Sequence, residues 1–215
     1  MKFHISAATA AVAALLLVAL SGCQSTSIQS AWFDPAYTGG PMQKIDVVGV
    51  GSNITDRRVF EDIFAQKLRA AGVDGVPGYT VMGDDARVAE APFSSAVESS
   101  GAQGLLVVRV LGVDTKTQVY TTMVPGGGPG WGAGFGPGYG PYGGFYGPAW
   151  VPVTQVSQYD VASVEVSLYD VKTRRLIWSA TTQTLNPQSV ATETPGFADL
   201  IIKQLVARGL IAVPK

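Results

Sequence analysis

The chain has 215 residues with 15 basic and 16 acidic side chains, and 47% of its residues are hydrophobic. This near-neutral charge gives no reason to expect nucleic-acid binding, and the length favours one domain with its own core. The chain contains only one cysteine and one histidine, which excludes an intrachain disulfide and argues against a zinc site built on these residues. We therefore expect no metal and no cofactor.

The first 22 residues follow the plan of an export signal. Lys2 precedes an apolar core from Ala7 to Ala19, which is shorter than the roughly 20 residues that a membrane-spanning helix needs. Leu20-Ser21-Gly22-Cys23 follows and resembles the lipobox of bacterial lipoproteins. The alternatives are a single membrane-spanning anchor and a plain signal peptide with a chance cysteine.

The lipobox resemblance implies that Cys23 carries the lipid. In that family the signal, here residues 1–22, is removed, and acyl chains on the cysteine hold the protein at a membrane. Several chains anchor stably where one would be marginal. Gln24 stands where an Asp would favour retention in the inner membrane, so the resemblance implies the outer membrane, facing the periplasm. Removal of the signal also removes His4, so no Ser-His-Asp triad can form in the mature chain.

Residues 23–43 are polar and suit a lipidated N-terminus and tether, in which Trp32 and Phe33 dock on the domain. A single domain is then expected over residues 44–215. Its first elements are a buried strand over Lys44–Gly51 and a helix over Asp56–Ala71, capped by Thr55 or Asp56 and ended by Gly72. The helix should pack Phe60, Phe64 and Leu68 inward and leave Arg57, Glu61 and Asp62 in solvent.

The remaining pattern predicts three further strands, two helices and a short second strand. The expected elements are a strand at Tyr79–Met82, a helix at Pro92–Ser100, a strand at Gly104–Val113 covered on both faces, a hairpin of Val161–Tyr169 with Leu176–Thr182, and a last helix from Thr194 to Arg208. Trp178 should lie in the core of this hairpin sheet. The order predicts an α/β fold in which helices pack on a mixed β-sheet.

A family resemblance rests on two stretches, Lys44–Ala71 and especially LYDVKTRRLIWSATTQT from Leu168 to Thr184. They look like a widespread group of small bacterial envelope lipoproteins built on a domain of unknown function. More distantly, the plan is similar to the periplasmic domains of TolB and of the curli secretion lipoprotein CsgG. The motifs are structural, so the resemblance implies a location and a fold and carries over no catalytic residue.

An insert over residues 125–150 is nearly half glycine and has no charged residue. Strand-like residues flank it at Thr115–Met123 and Val151–Gln158, which predicts a long β-hairpin that carries a Gly-rich loop. A solvated low-complexity loop is one interpretation. The other is partner binding, because disordered segments are usually poor in aromatics. The candidate partner-binding residues are Trp131, Phe135, Tyr139, Tyr142, Phe145, Tyr146 and Trp150.

Other candidate sites favour structural interpretations. Gly49-Val50-Gly51 between a strand and a helix lacks the third glycine of a dinucleotide-binding turn, and a tight turn explains both glycines. Glu61-Asp62 and Asp84-Asp85 are adjacent carboxylates whose side chains diverge, so we expect solvated surface. Arg109 in an apolar strand should need a charged partner, for which Glu165 is the candidate.

Two functions remain from the sequence, neither catalytic. The first is a lipid-anchored envelope lipoprotein that binds a protein or glycan partner in the outer membrane or helps to maintain that membrane. The alternative is a subunit of an oligomeric secretion or pore assembly. A hydrolase that works without histidine is a remote alternative.

Overall fold

The computed structural model describes residues 26–83, 95–125 and 150–212. The strands are β1 (Thr26–Phe33), β2 (Lys44–Val50), β3 (Asp74–Pro77), β4 (Gly104–Pro125), β5 (Trp150–Asp170) and β6 (Arg175–Leu185). The helices are α1 (Ile54–Ala70), α2 (Gly78–Met82), α3 (Ser95–Ser100) and α4 (Val190–Ala207). Within these ranges no helix has the length and apolarity needed to span a bilayer. The chain forms two compact units, of which residues 113–161 are one and the rest of the chain the other.

The larger unit is built on a mixed sheet, which confirms the predicted α/β class. Its six strands lie in the order β1-β6-β5-β4-β2-β3. β2 runs parallel to both β3 and β4, whereas β1 runs antiparallel to β6. Both sheet faces are covered, as expected for a sheet that includes parallel strands.

The main core lies between one face of the sheet and helices α1 and α4. Phe60, Phe64 and Phe197 bring these helices together, with ring centroids about 6 Å apart. Trp178 on β6 is fully buried in the same cluster, as predicted. A smaller cluster on the opposite face joins Val48 and neighbouring strand residues to α2 and α3. The apolar residues at spacing four in α1, namely Phe60, Phe64 and Leu68, do pack in the main core, as their pattern predicted.

The smaller unit contains the outer parts of β4 and β5. Thr115 Oγ1 donates to Asp160 Oδ1 at 2.7 Å, and the hydroxyl groups of Thr121 and Thr154 lie 3.5 Å apart. A forward step along β4 thus matches a backward step along β5, so the two strands are antiparallel. This confirms the predicted long hairpin. Its predicted loop falls on residues 126–149, outside the described residues.

The predicted tether is wrong for residues 26–33, which form an edge strand. β1 pairs with β6 from Thr26 opposite Thr184 to Phe33 opposite Trp178. Its polar side chains suit an edge with one wet face, and its backbone covers the edge that β6 would otherwise leave unpaired. Of the two expected docking residues, Phe33 packs against the core, whereas Trp32 is about half exposed.

Three element predictions need correction. Tyr79–Met82 belongs to a short helix, and the strand precedes it at Asp74–Pro77. A side chain at Gly78 would place its Cβ 2.7 Å from the Val47 carbonyl oxygen, so glycine permits the close turn between the two. The last helix begins at Val190 rather than Thr194, because Ser189 caps it by accepting from the Thr192 N–H.

The third correction concerns β4, which is covered on both faces only in its first part. The side chains become exposed from Arg109 onward, where the pairing with β2 also ends. An exposed guanidinium keeps its hydration and needs no buried partner, and the described residues show no ion pair between Arg109 and Glu165. Of the helix predicted at Pro92–Ser100, the part from Ser95 is present; residues 92–94 lie outside the described ranges.

Candidate functional site

A buried charged group lies beneath the turn that joins β2 to α1. Glu61 is only 1% exposed and Arg57, one helical turn earlier, is 8% exposed. This contradicts the prediction that both face solvent; only Asp62 of the adjacent carboxylates does so. The reason is tertiary packing, because α2 and Gly83, which follows it, cover this side of α1. Arg57 Nη2 donates to the carbonyl oxygen of Gly83 at 3.1 Å.

The Glu61 carboxylate ties three elements together. Its Oε1 accepts from the N–H of Gly49 at 3.0 Å, and its Oε2 accepts from the N–H of Tyr79 at 2.7 Å. Oε1 also lies 3.8 Å from Arg57 Nε. Burial raises the pKa of Glu61, against the opposing effects of the two backbone donors and of Arg57. The carboxylate therefore holds the end of β2 and the start of α2 against α1.

Of the two glycines in the β2–α1 turn, Gly49 follows from this packing, whereas a Cβ at Gly51 would have no atom within 4 Å. A Cβ at Gly49 would lie 3.2 Å from side-chain carbons of both Arg57 and Phe60. Asn53, rather than Thr55 or Asp56, caps the helix, with its Oδ1 accepting from the N–H groups of those two residues at 3.0 and 3.2 Å. Two backbone N–H groups of the first helical turn therefore already have an acceptor within the protein.

An exposed rim surrounds the buried pair. The Tyr79 hydroxyl donates to Asp62 Oδ1 at 2.9 Å, and the Arg58 guanidinium lies over the Tyr79 ring, 5.1 Å from its centroid. The hydrogen bond to Asp62 raises the pKa of Tyr79. These contacts join α1 to α2 on the surface, so the whole cluster has a structural explanation.

Asp46 on β2 is a second buried carboxylate, on the opposite face of the sheet. It is fully buried, and its Oδ1 lies without a hydrogen-bond partner in the described structure. Its Oδ2 is 2.7 Å from Ser100 Oγ, which is also 2.8 Å from the Val97 carbonyl oxygen and accepts from the Ala102 N–H. The Ser100 hydroxyl therefore has two acceptors within reach, the Asp46 carboxylate and the Val97 carbonyl oxygen.

The surroundings of Asp46 shift its balance toward the protonated form. Burial raises its pKa, the hydrogen bond from Ser100 and the charge of Lys44 lower it, and Asp74 raises it further. The sequence places an aspartate inside the apolar run of β2, and this pattern could have identified Asp46 as a buried carboxyl group. A polar residue at a position covered on both faces must be neutral or paired.

Asp46→Asn is predicted to stabilise the protein at neutral pH and to have little effect in mild acid. Because the folded pKa is raised, the proton-linked stability of the parent is full below the ordinary value of 3.8 and is lost as the pH rises through the folded pKa. Asparagine stays neutral, and its amide oxygen can still accept from the Ser100 hydroxyl. Each pKa unit corresponds to about 1.4 kcal/mol. Urea unfolding of both proteins between pH 4 and 8 measures the difference.

The exposed Asp199 on α4 offers the control for this prediction. Asp199→Asn removes the same charge from an exposed ion pair with Lys67, so it shows any general effect of losing one carboxylate. A constant difference between parent and Asp46→Asn across the pH range would contradict the prediction, because it would show that Asp46 does not titrate in this window.

The paired arms of β4 and β5 expose apolar side chains that the core does not use. Val119 is 61% exposed and Val156 is 63% exposed, and both lie in the smaller unit. Further exposed apolar residues on these arms are Val113, Tyr120, Met123, Val124 and Val153. Contiguous exposed apolar surface in a protein is the usual mark of an interaction site. These strands therefore offer a candidate interaction surface among the described residues.

Most of the sequence-predicted site residues fall outside the described ranges. These are Cys23, Trp131, Phe135, Tyr139, Tyr142, Phe145 and Tyr146, together with Asp84 and Asp85. Trp150 is the first residue of β5. Within the described part of the chain, no group of three or more His, Cys, Asp or Glu side chains is placed to hold a metal ion.

Comparison with known proteins gives a family and distant structural similarities. The chain is similar to the PelC dodecamer from Paraburkholderia phytofirmans, with 17% identity, 87% of this chain and 99% of that chain covered, and a TM-score of 0.41. It is also similar to lipoprotein GNA1162 from Neisseria meningitidis, with 12% identity, coverage of 76% and 98%, and a TM-score of 0.34. No curated protein matches. Residues 92–205, just over half of the chain, match the family described as Domain of unknown function (DUF4136), and the chain belongs to that family.

Proposed function

We propose that this protein is a non-catalytic envelope lipoprotein that binds a partner through the hairpin formed by β4 and β5. Acyl chains on Cys23 hold it at the outer membrane, where it faces the periplasm. The observation that carries the proposal is the exposed apolar surface of the hairpin arms, centred on Val119 and Val156. Catalysis is not needed to explain the buried carboxylates, because Glu61 and Asp46 both serve internal contacts.

The partner in this proposal is an envelope protein or a glycan, and the aromatic residues of the insert contribute to binding it. Tyrosine and tryptophan present both an apolar ring and a polar group, which suits contact with sugars and with protein surfaces.

Replacing residues 126–148 with an Asn-Gly turn tests this role. In the register set by Thr121 and Thr154, Pro125 lies opposite Trp150, so a short connection fits without stretching the chain. Loop-closure entropy changes by only about 0.6 kcal/mol per doubling of length, so stability should stay the same or rise slightly. Crosslinking in intact cells should lose the partner, while cooperative unfolding and lipidation persist.

A matched variant distinguishes direct contact by the aromatic residues from an effect of the length of the insert. It keeps the length of the insert and replaces Trp131, Phe135 and Tyr139 with serine. If both variants lose the crosslinks, the aromatics make the contact. Retention of every crosslink in the shortened protein would count against partner binding by the insert, and loss of folding would show that the aromatics belong to a core.

The second candidate function is a subunit of an oligomeric secretion or pore assembly, as the distant resemblance to the curli secretion lipoprotein would imply. The open edge of β4 favours it: beyond Arg109, the described structure gives β4 no strand partner other than β5. An unpaired strand edge is a template for pairing with another chain. Light scattering in detergent distinguishes the two functions, since a monomer favours the first and a defined oligomer the second.

A further inference from the structure

The outer part of β4 has a long strand edge that is open to pairing. β4 pairs with β2 only as far as Arg109, and every residue from Arg109 to Val124 is exposed. In this stretch β5 is the strand partner that the described ranges give to β4. A hairpin of only two strands is marginally stable in water. A further strand along the open edge of β4 would therefore stabilise the hairpin arms.

Within these arms, β4 is less protected against pairing than β5. Pro152 lies in the outer part of β5 and removes a backbone donor there, which is one of the ways in which natural sheets protect an edge. β4 contains no proline before Pro125, its last residue. β4 is therefore the strand of the arms to which another strand can be added.

The charged residues of this edge are complementary to each other. Asp114 and Lys116 are both exposed, and neither has an ion pair among the described residues. When two copies of β4 pair antiparallel around a two-fold axis at Thr115, Asp114 of each copy lies directly opposite Lys116 of the other. Opposite charges in this position stabilise strand pairing, whereas like charges destabilise it. Moving the axis by one residue in either direction places Asp114 opposite Asp114 or Lys116 opposite Lys116, so the charges favour the register centred on Thr115.

The exposed apolar residues of the edge meet each other in the same register. Val110 lies opposite Tyr120 of the second copy, on the face that carries the charged pair, and Leu111 lies opposite Val119 on the other face. In the single chain these four side chains are between 46% and 61% exposed. Apolar pairs directly opposite each other stabilise antiparallel strands. The pairing would therefore cover apolar surface on both faces of the strand.

We propose that two copies of this chain pair through the open edges of β4, antiparallel and centred on Thr115. The inference rests on the second candidate function, an oligomeric assembly, and names the contact between two of its subunits. The contact uses the same surface of both copies, so it closes as a symmetric pair. The two hairpins then form one continuous sheet, in which the edge of β4 is no longer open.

Charge reversal tests this pairing on the full-length lipidated protein in detergent. Asp114→Lys and Lys116→Asp each place like charges opposite each other, whereas a variant that carries both substitutions restores opposite charges. An equal mixture of the two single variants also restores them, because each variant supplies the charge that the other needs. Lys172→Asp, in the exposed turn between β5 and β6, is the control for the change in net charge. Analytical ultracentrifugation measures the dissociation constant of each protein.

The expected result is a parent pair whose dissociation constant rises about tenfold or more in each single variant, because attraction becomes repulsion at both charged pairs. The double variant and the mixture should regain the parent value, and Lys172→Asp should keep it. Equal dissociation constants for the parent and the single variants would overturn the inference, as would a mixture that associates no better than its components. A defined oligomer that neither reversal weakens refutes this contact alone, whereas a parent that stays monomeric at every concentration refutes the second candidate function as well.

Discussion

Trp178→Ala is expected to leave little folded protein. The indole is fully buried on β6, in the main core cluster and opposite Phe33 of β1. Truncating a buried tryptophan to alanine typically costs about 3 to 5 kcal/mol. The total stability of a domain is only about 5 to 15 kcal/mol, so the loss should lower the urea midpoint steeply.

Trp32→Ala provides the control for this effect. Trp32 lies on β1 next to Phe33, but about half of its surface is exposed, so its truncation should change the melting temperature only slightly. A melting temperature of Trp178→Ala within a few degrees of the parent would contradict the prediction, since it would mean that the indole contributes little to the core.

Cys23→Ala is expected to abolish incorporation of labelled palmitate and to block lipoprotein-type cleavage of the signal. The thiol is the only one in the chain, so no other residue can take a thioether-linked lipid. Metabolic labelling followed by fractionation of the envelope measures both effects. Gln24→Ala is the control, because it leaves the thiol in place and should retain the label. Continued labelling of Cys23→Ala would show that the lipid is attached elsewhere.

Elements whose type and buried face follow from their own apolar pattern could be predicted from the sequence. The apolar run at β2 and the spacing of Phe60, Phe64 and Leu68 both identify buried surfaces that the structure confirms. Gly72 and Gly209, with φ of 85° and 69°, follow the ends of α1 and α4 as predicted. In each case the local pattern and the final packing agree.

Elements that depend on distant neighbours could not be predicted. Thr26–Phe33 is polar and lacks alternation, and it is a strand because β6 offers it an edge. Arg57 and Glu61 occupy the polar side of α1, and only the position of α2 reveals that this side is covered. The candidate site was limited in the same way: the hairpin arms were predicted, but which apolar residues on them stay exposed depends on where the neighbouring strands end.

The pairing of β1 with β6 also has a consequence for the order of events during folding. Thr26 and Thr184 are 158 residues apart, so the first strand cannot find its partner until nearly the whole chain has been synthesised. Contacts of such long sequence separation form slowly, because the entropy of closing the loop is lost before the contact is made. The edge of β6 stays open for that time and is exposed to pairing with other chains. We therefore expect the newly made chain to depend on chaperones until β1 docks, and a chain that begins after Phe33 to aggregate.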